Sequence, residues 1–219
     1  MLDRFRQPAS FFCLRNTHWQ VLAMDTGYND YDPFKEGTAT TWVQDGTGDD
    51  GRPDGSYGEL AWHADKLSQA GGRKTVLLSH HPLFTRSEPM AGGKVRNDRL
   101  YAQLQPWLAD ITLWLWGHEH NQVIYQPFSG VARGRCIGAG AIPVPASKLV
   151  YNASLDFAPG QSIPDLLGDP TSRLPNDDPT DLYDLGFAML NLDGAMGSAI
   201  YYAFNEAKGA RILFKEDLP

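Results

Sequence analysis

Apolar and polar positions divide the chain into segments of different period. Residues 10–15 (SFFCLR) and 18–25 (HWQVLAMD) are rich in β-formers, and Asn16-Thr17 between them predicts a hairpin turn. A polar loop rich in Gly and Asp follows over about 27–55. Ser56 with Glu59 three residues on is a capping-box pattern, so a helix is expected to start there. Tyr57, Leu60, Ala64 and Leu67 recur at helical spacing, and Gly71-Gly72 ends the run. Residues 74–79 then form a continuous apolar strand pattern. Asn97 is placed to cap a second helix with Leu100, Tyr101, Leu104 and Leu108 on one face, and Pro106 should kink or shorten it. A second continuous apolar run occupies 111–116, and shorter strand patterns follow at 122–127, 134–138, 186–192, 197–204 and 211–216.

Continuously apolar strands are expected where a sheet is covered on both faces. A helix between the strands at 74–79 and 111–116 makes them parallel neighbours, which brings their C-terminal ends to one edge. Open α/β sheets bind ligands at that edge. Between the later strands lies 143–183, with prolines at 143, 145, 159, 164, 170, 175 and 179 and many Asp residues. Such a stretch cannot hold a long helix or a central strand, and it reads as an irregular insert within a single domain over 1–219.

Composition narrows the class. The 219 residues are 42% hydrophobic and 21% charged, with a formal net charge of −7, ordinary values for a globular protein. No cluster of Lys or Arg stands out, so nucleic acid is not the expected partner. No apolar run reaches the length of a membrane span, and the first residues, MLDRFRQPASFF, lack the apolar core of a signal peptide. Cys13 and Cys136 sit inside strand patterns, fit no CxxC motif and are expected as buried free thiols. A cytoplasmic location is the default expectation.

The chemistry concentrates at two strand ends. TVLLSHHPLF places His80 and His81 directly after one apolar strand, and ITLWLWGHEHN places His118 and His120 after the other. Four of the six histidines therefore fall at one expected sheet edge. Neutral imidazole suits Zn, Fe and Mn sites, and Gly117 lets the backbone bend or approach a ligand closely. His18 and His63 read as ordinary surface or hydrogen-bonded residues.

LLSHHP and LWGHEHN together resemble the calcineurin-like metallophosphoesterases, as do GELAWHADKL and the strand QVLAMDTGYND. The resemblance covers roughly 10–140 and, more loosely, the last strands. It implies an α/β architecture with mixed sheets, half of a four-layer α/β/β/α sandwich. It also implies hydrolysis of a phosphate ester with two divalent ions (Fe, Mn or Zn). His80, His118 and His120 are the metal ligands by this resemblance, His81 is a catalytic-site residue behind them, and Asp25 is a structural residue at a strand end.

The family's D-x-H, G-D-x-x-D and G-N-H-[DE] motifs are missing from the sequence. The chain thus reads as the C-terminal portion of such a domain, a truncated phosphatase with little activity in isolation and at most one tightly held metal. Self-association, or pairing with the missing N-terminal half, is expected. Two rivals remain: a non-catalytic remnant that acts as a binding domain, and a mononuclear zinc hydrolase with three histidines.

Overall fold

The computed structural model describes residues 9–27, 33–34, 58–169, 171–176 and 181–219. The chain opens with the hairpin β1 (Phe12–Arg15) and β2 (Trp19–Ala23), paired antiparallel. Asn16 sets its turn: the side-chain oxygen accepts the backbone N–H groups of His18 and Trp19, both at 2.8 Å. Helix α1 (Glu59–Ser68) follows. The expected Ser56 cap lies outside the described residues, and the helix instead starts from Gly58 with no side-chain capping bond. Glu59 is turned inward, where its carboxylate accepts the Asp25 N–H at 2.7 Å and bonds His63 Nε2 at 3.0 Å.

Strand β3 (Lys74–Ser79) and strand β4 (Ile111–Trp116) flank helix α2 (Asp98–Leu104). Asn97 caps α2 by accepting the Leu100 N–H at 3.1 Å. Pro106 falls in a 3₁₀ turn over Gln105–Asp110 that ends the helix, so Leu108 packs from that turn rather than from α2. Strand β5 (Gln122–Ile124) is shorter than its pattern, and β6 covers Gly134–Ile137. Strands β7 (Leu185–Asp193), β8 (Met196–Asn205) and β9 (Gly209–Leu218) complete the chain.

These elements form an α/β fold with two sheets. The first has the order β1-β2-β3-β4-β6-β5, with β2, β3, β4 and β6 parallel and the outer strands antiparallel. The second is the antiparallel meander β7-β8-β9. Alternate residues of the first sheet serve two cores. Leu22, Leu77, Trp114 and Trp116 pack with Leu67, Leu100 and Leu104 of the helices. Trp19, Val76, Leu113 and Leu115 pack against Ala199, Tyr201 and Leu218 of the second sheet.

Side chains from both sheets interlock between them. The Trp19 indole lies across β8, where a side chain at Gly197 would come within 2.4 Å of its ring. Arg135 is buried in β6 and donates two hydrogen bonds to Glu216 of β9, at 2.9 and 2.8 Å, while the Tyr201 hydroxyl donates a third at 2.8 Å. The far face of the second sheet carries exposed Phe187, Met189, Phe204 and Ile212.

Residues 143–183 hold a short 3₁₀ turn, Ala146–Lys148, and isolated bridges such as Tyr125 with Leu166 and Pro145 with Leu182. Both cysteines are free, and Cys136 is buried while Cys13 is partly so. Among the described residues, no helix is long and apolar enough to cross a membrane.

Candidate metal centre

Parallel pairing of β3 with β4 places Ser79 opposite Trp116, so both chains leave the sheet at the same edge. His80 and His81 follow Ser79, and His118 follows the bend at Gly117. The Gly117 N–H reaches back to the Ser79 and His80 carbonyls at 3.3 and 3.1 Å, which ties the two exits together. His118 adopts a left-handed backbone, φ 66°. For a residue with a Cβ that conformation costs about 1–2 kcal/mol, and such outliers cluster at functional sites.

The result is a three-imidazole group. His80, His81 and His118 each offer a ring nitrogen, and these atoms all lie within 4.8 Å of one another. His118 Nδ1 stands 3.2 Å from His80 Nε2. Two nitrogens bound to one tetrahedral zinc at ordinary distances would sit roughly 3.3–3.4 Å apart, so this pair is already at ligand spacing. His81 is buried and held twice by Thr26: its backbone N–H donates to Thr26 Oγ1 at 3.0 Å, and its ring Nδ1 bonds the Thr26 carbonyl at 2.9 Å. That carbonyl can only accept, so Nδ1 carries the proton and Nε2 keeps its lone pair for a ligand. The donor set therefore suits a divalent transition-metal ion. Among the described residues no carboxylate belongs to the group.

His120 is placed differently. It is exposed and lines the same cleft as His80 and His118, but its ring lies outside the three-imidazole group. Asp25 lies at the end of the neighbouring strand, and a side chain on Gly27 would meet both its Oδ1 and His80 Cδ2 at 4.0 Å. The Asp25 carboxylate accepts the Gly27 N–H at 3.3 Å, a turn-forming role. His63 is fully buried against Glu59, far down helix α1, and His18 is exposed in the hairpin turn.

Sequence reasoning missed the supporting residues. Thr26, in the quoted Asp-Thr step, fixes the His81 tautomer. Phe34 stacks on the His118 ring, centroids 5.1 Å apart and 11° from parallel. Glu119, between His118 and His120, points inward and accepts the Thr85 hydroxyl at 2.6 Å. Burial pushes its carboxyl up to about 7; the Thr85 bond opposes the shift and Glu88 adds to it. Burial, with Glu119 adding, also holds the Tyr125 hydroxyl and the Cys136 thiol well above their ordinary values. A charged residue inside a GHEH step was the available signal for Glu119, since it has no surface to reach in a turn packed on β6.

No family model matches the chain, and no curated sequence relative matches it. Several solved structures are similar, among them the following two. The anchor GAP50 of the inner membrane complex of Plasmodium superposes with a TM-score of 0.51 at 13% identity, over 95% of this chain and 52% of that one. The chain thus spans about half the length of that structure, and the likeness is one of fold. A Staphylococcus aureus protein assigned as a 5'-nucleotidase, solved with alpha-ketoglutarate, gives a TM-score of 0.36 at 11% identity, over 97% of this chain and 29% of that one.

Proposed function

We propose that this chain carries a metal-dependent phosphoester hydrolase site of the calcineurin-like type, with one divalent ion held by His80, His81 and His118. The observation that carries the reading is the convergence of three imidazole nitrogens at the C-terminal edge of two parallel strands. The LLSHHP and GHEHN motifs supply the chemical class. A bound ion would supply Lewis acidity toward a phosphoryl oxygen.

The chain's own residues do the rest. Thr26 keeps His81 Nε2 unprotonated and aimed. Phe34 backs the His118 ring and limits its rotation. His120, on the cleft wall and outside the ligand group, is the group assigned to proton exchange with the ester's leaving oxygen. Three imidazoles without a carboxylate bridge hold one ion rather than two, so turnover by this chain alone is expected to be slow.

The test is metal analysis of the purified chain beside an aryl-phosphate assay. The expected result is one zinc per chain and slow hydrolysis that a chelator abolishes. Zinc content no higher than in a His80→Ala/His118→Ala variant would overturn the metal site. Full zinc loading without hydrolysis above that variant would overturn the catalytic part and leave a metal-binding module.

A further inference from the structure

We propose that the cleft beside the three imidazoles seats the alcohol portion of the ester, and that Lys148 there recognises a second anionic group on it. This rests on the phosphoester reading above. The cleft has a volume of about 570 Å³, within the range of small-molecule sites and far more than a phosphoryl group fills. His80, His118 and His120 form one part of its lining, and Val144, Lys148 and Val150 another. An ester held by its phosphoryl group at the imidazoles therefore has room for its alcohol portion beside the insert residues.

Lys148 stands on a braced turn. Its 3₁₀ turn is tied to the end of the insert: the Ala146 N–H donates to Asp181 at 2.9 Å, and Tyr183 donates to Val144 at 2.9 Å. Leu149, which closes the turn, has φ 50°, a conformation kept only where neighbours enforce it. Lys148 forms no ion pair with any described residue. On a chain of net charge −7, an unpaired ammonium beside a metal-binding edge selects for anions locally.

A second observation points to a ligand at the same wall. Asn121 is 3% exposed and lines the cleft. Ser87 donates its hydroxyl to the Val150 carbonyl, so toward Asn121 it can only accept, and Asn121 Nδ2 donates to it at 3.4 Å. That fixes the amide, and Oδ1 is left as a buried acceptor with no donor. A slight opening of the wall would let a hydroxyl of the bound alcohol, or a water beneath it, satisfy that oxygen. Glu88 also lines the cleft and repels an anion near it, so Lys148 is the lining cation able to receive one.

The experiment uses the zinc-loaded chain and titration calorimetry with non-hydrolysable probes: phenylphosphonate and its three carboxyphenyl isomers. The best carboxylated isomer should bind roughly threefold to fivefold tighter than phenylphosphonate, the worth of one partly exposed ion pair. Lys148→Gln should erase that preference and leave phenylphosphonate binding unchanged, while Lys148→Arg should keep it. Equal binding of all four probes, or a preference that survives in Lys148→Gln, overturns the Lys148 subsite and leaves the phosphoester reading standing. Failure of every probe to bind overturns that reading and the subsite with it.

Discussion

Replacing Gly138 with alanine should damage the histidine edge without touching a histidine. Gly138 follows β6 and lies directly under the turn that carries His118 and His120. A Cβ there would stand 2.0 Å from the Glu119 carbonyl oxygen, 3.0 Å from its carbon and 3.2 Å from the Gly117 carbonyl carbon. Carbon and oxygen atoms in close contact sit roughly 3.3–3.6 Å apart, so the turn must retreat by more than about 1 Å. No flexible side chain can give way, because every atom in the way is backbone. The turn is also braced from within: Glu119 donates to Gly117 at 2.8 Å and Asn121 to Glu119 at 2.7 Å.

The cost has two parts. Overpacking of a tight site costs about 1–3 kcal/mol of stability. Displacing His118 by about 1 Å breaks its 3.2 Å spacing from His80, and the loss of ligand positioning should weaken metal binding on the order of 10–100-fold. Gly140→Ala is the control, since its Cβ would meet nothing nearer than the Gly186 carbonyl at 3.8 Å. The assays are zinc competition against a chromophoric chelator and the urea midpoint of the metal-free chain. Gly138→Ala with zinc affinity within twofold of the parent, despite a lowered urea midpoint, would refute the placement of His118 in the metal group.

Three further outcomes follow from the same geometry. Zinc content should fall in His80→Ala, His81→Ala and His118→Ala but persist in His120→Ala and His63→Ala; loss in His120→Ala with retention in His81→Ala would restore the ligand set implied by the family resemblance. Arg135→Met removes two hydrogen bonds to Glu216 but leaves it Arg133 at 3.4 Å and the Tyr201 hydroxyl, so it should cost about 1–3 kcal/mol in urea unfolding. The Glu119 carboxyl, raised by burial from 4.5 to about 7, holds its proton more tightly folded than unfolded. The Glu119 contribution to metal-free stability should therefore be full below pH 4.5, fall by about 3 kcal/mol between pH 4.5 and 7, and stay lost above. Glu119→Gln should flatten that part of the urea-midpoint profile, and an unchanged slope would show that the carboxylate is not buried as described.

The strands were legible because their signals are local. Val76 to Leu78 and Leu113 to Trp116 are apolar throughout, and each run serves cores on both faces of the first sheet. The hairpin was legible because Asn16 alone satisfies two N–H groups in its turn. The expected Ser56 cap lies outside the described residues, while Glu59, the other half of that spacing, bonds Asp25 and His63, one of them 34 positions away in sequence. A partner so distant leaves no local pattern, although a buried N–H left unpaired would be expensive.

The histidine group shows the same limit more sharply. Reading His118 and His120 as a pair assumes an extended chain, in which alternate side chains point the same way. The chain after Gly117 is not extended: His118 has φ 66°, and the Glu119 and Asn121 N–H groups close successive tight turns. Alternation fails there, and His120 faces the cleft apart from His118. His81 joins the three-imidazole group because Thr26, 55 residues earlier, holds both its backbone and its ring. Spacing along the chain therefore identified which strand ends meet. Which nitrogens meet was decided by one left-handed residue and one distant threonine, and neither leaves a periodic mark in the sequence.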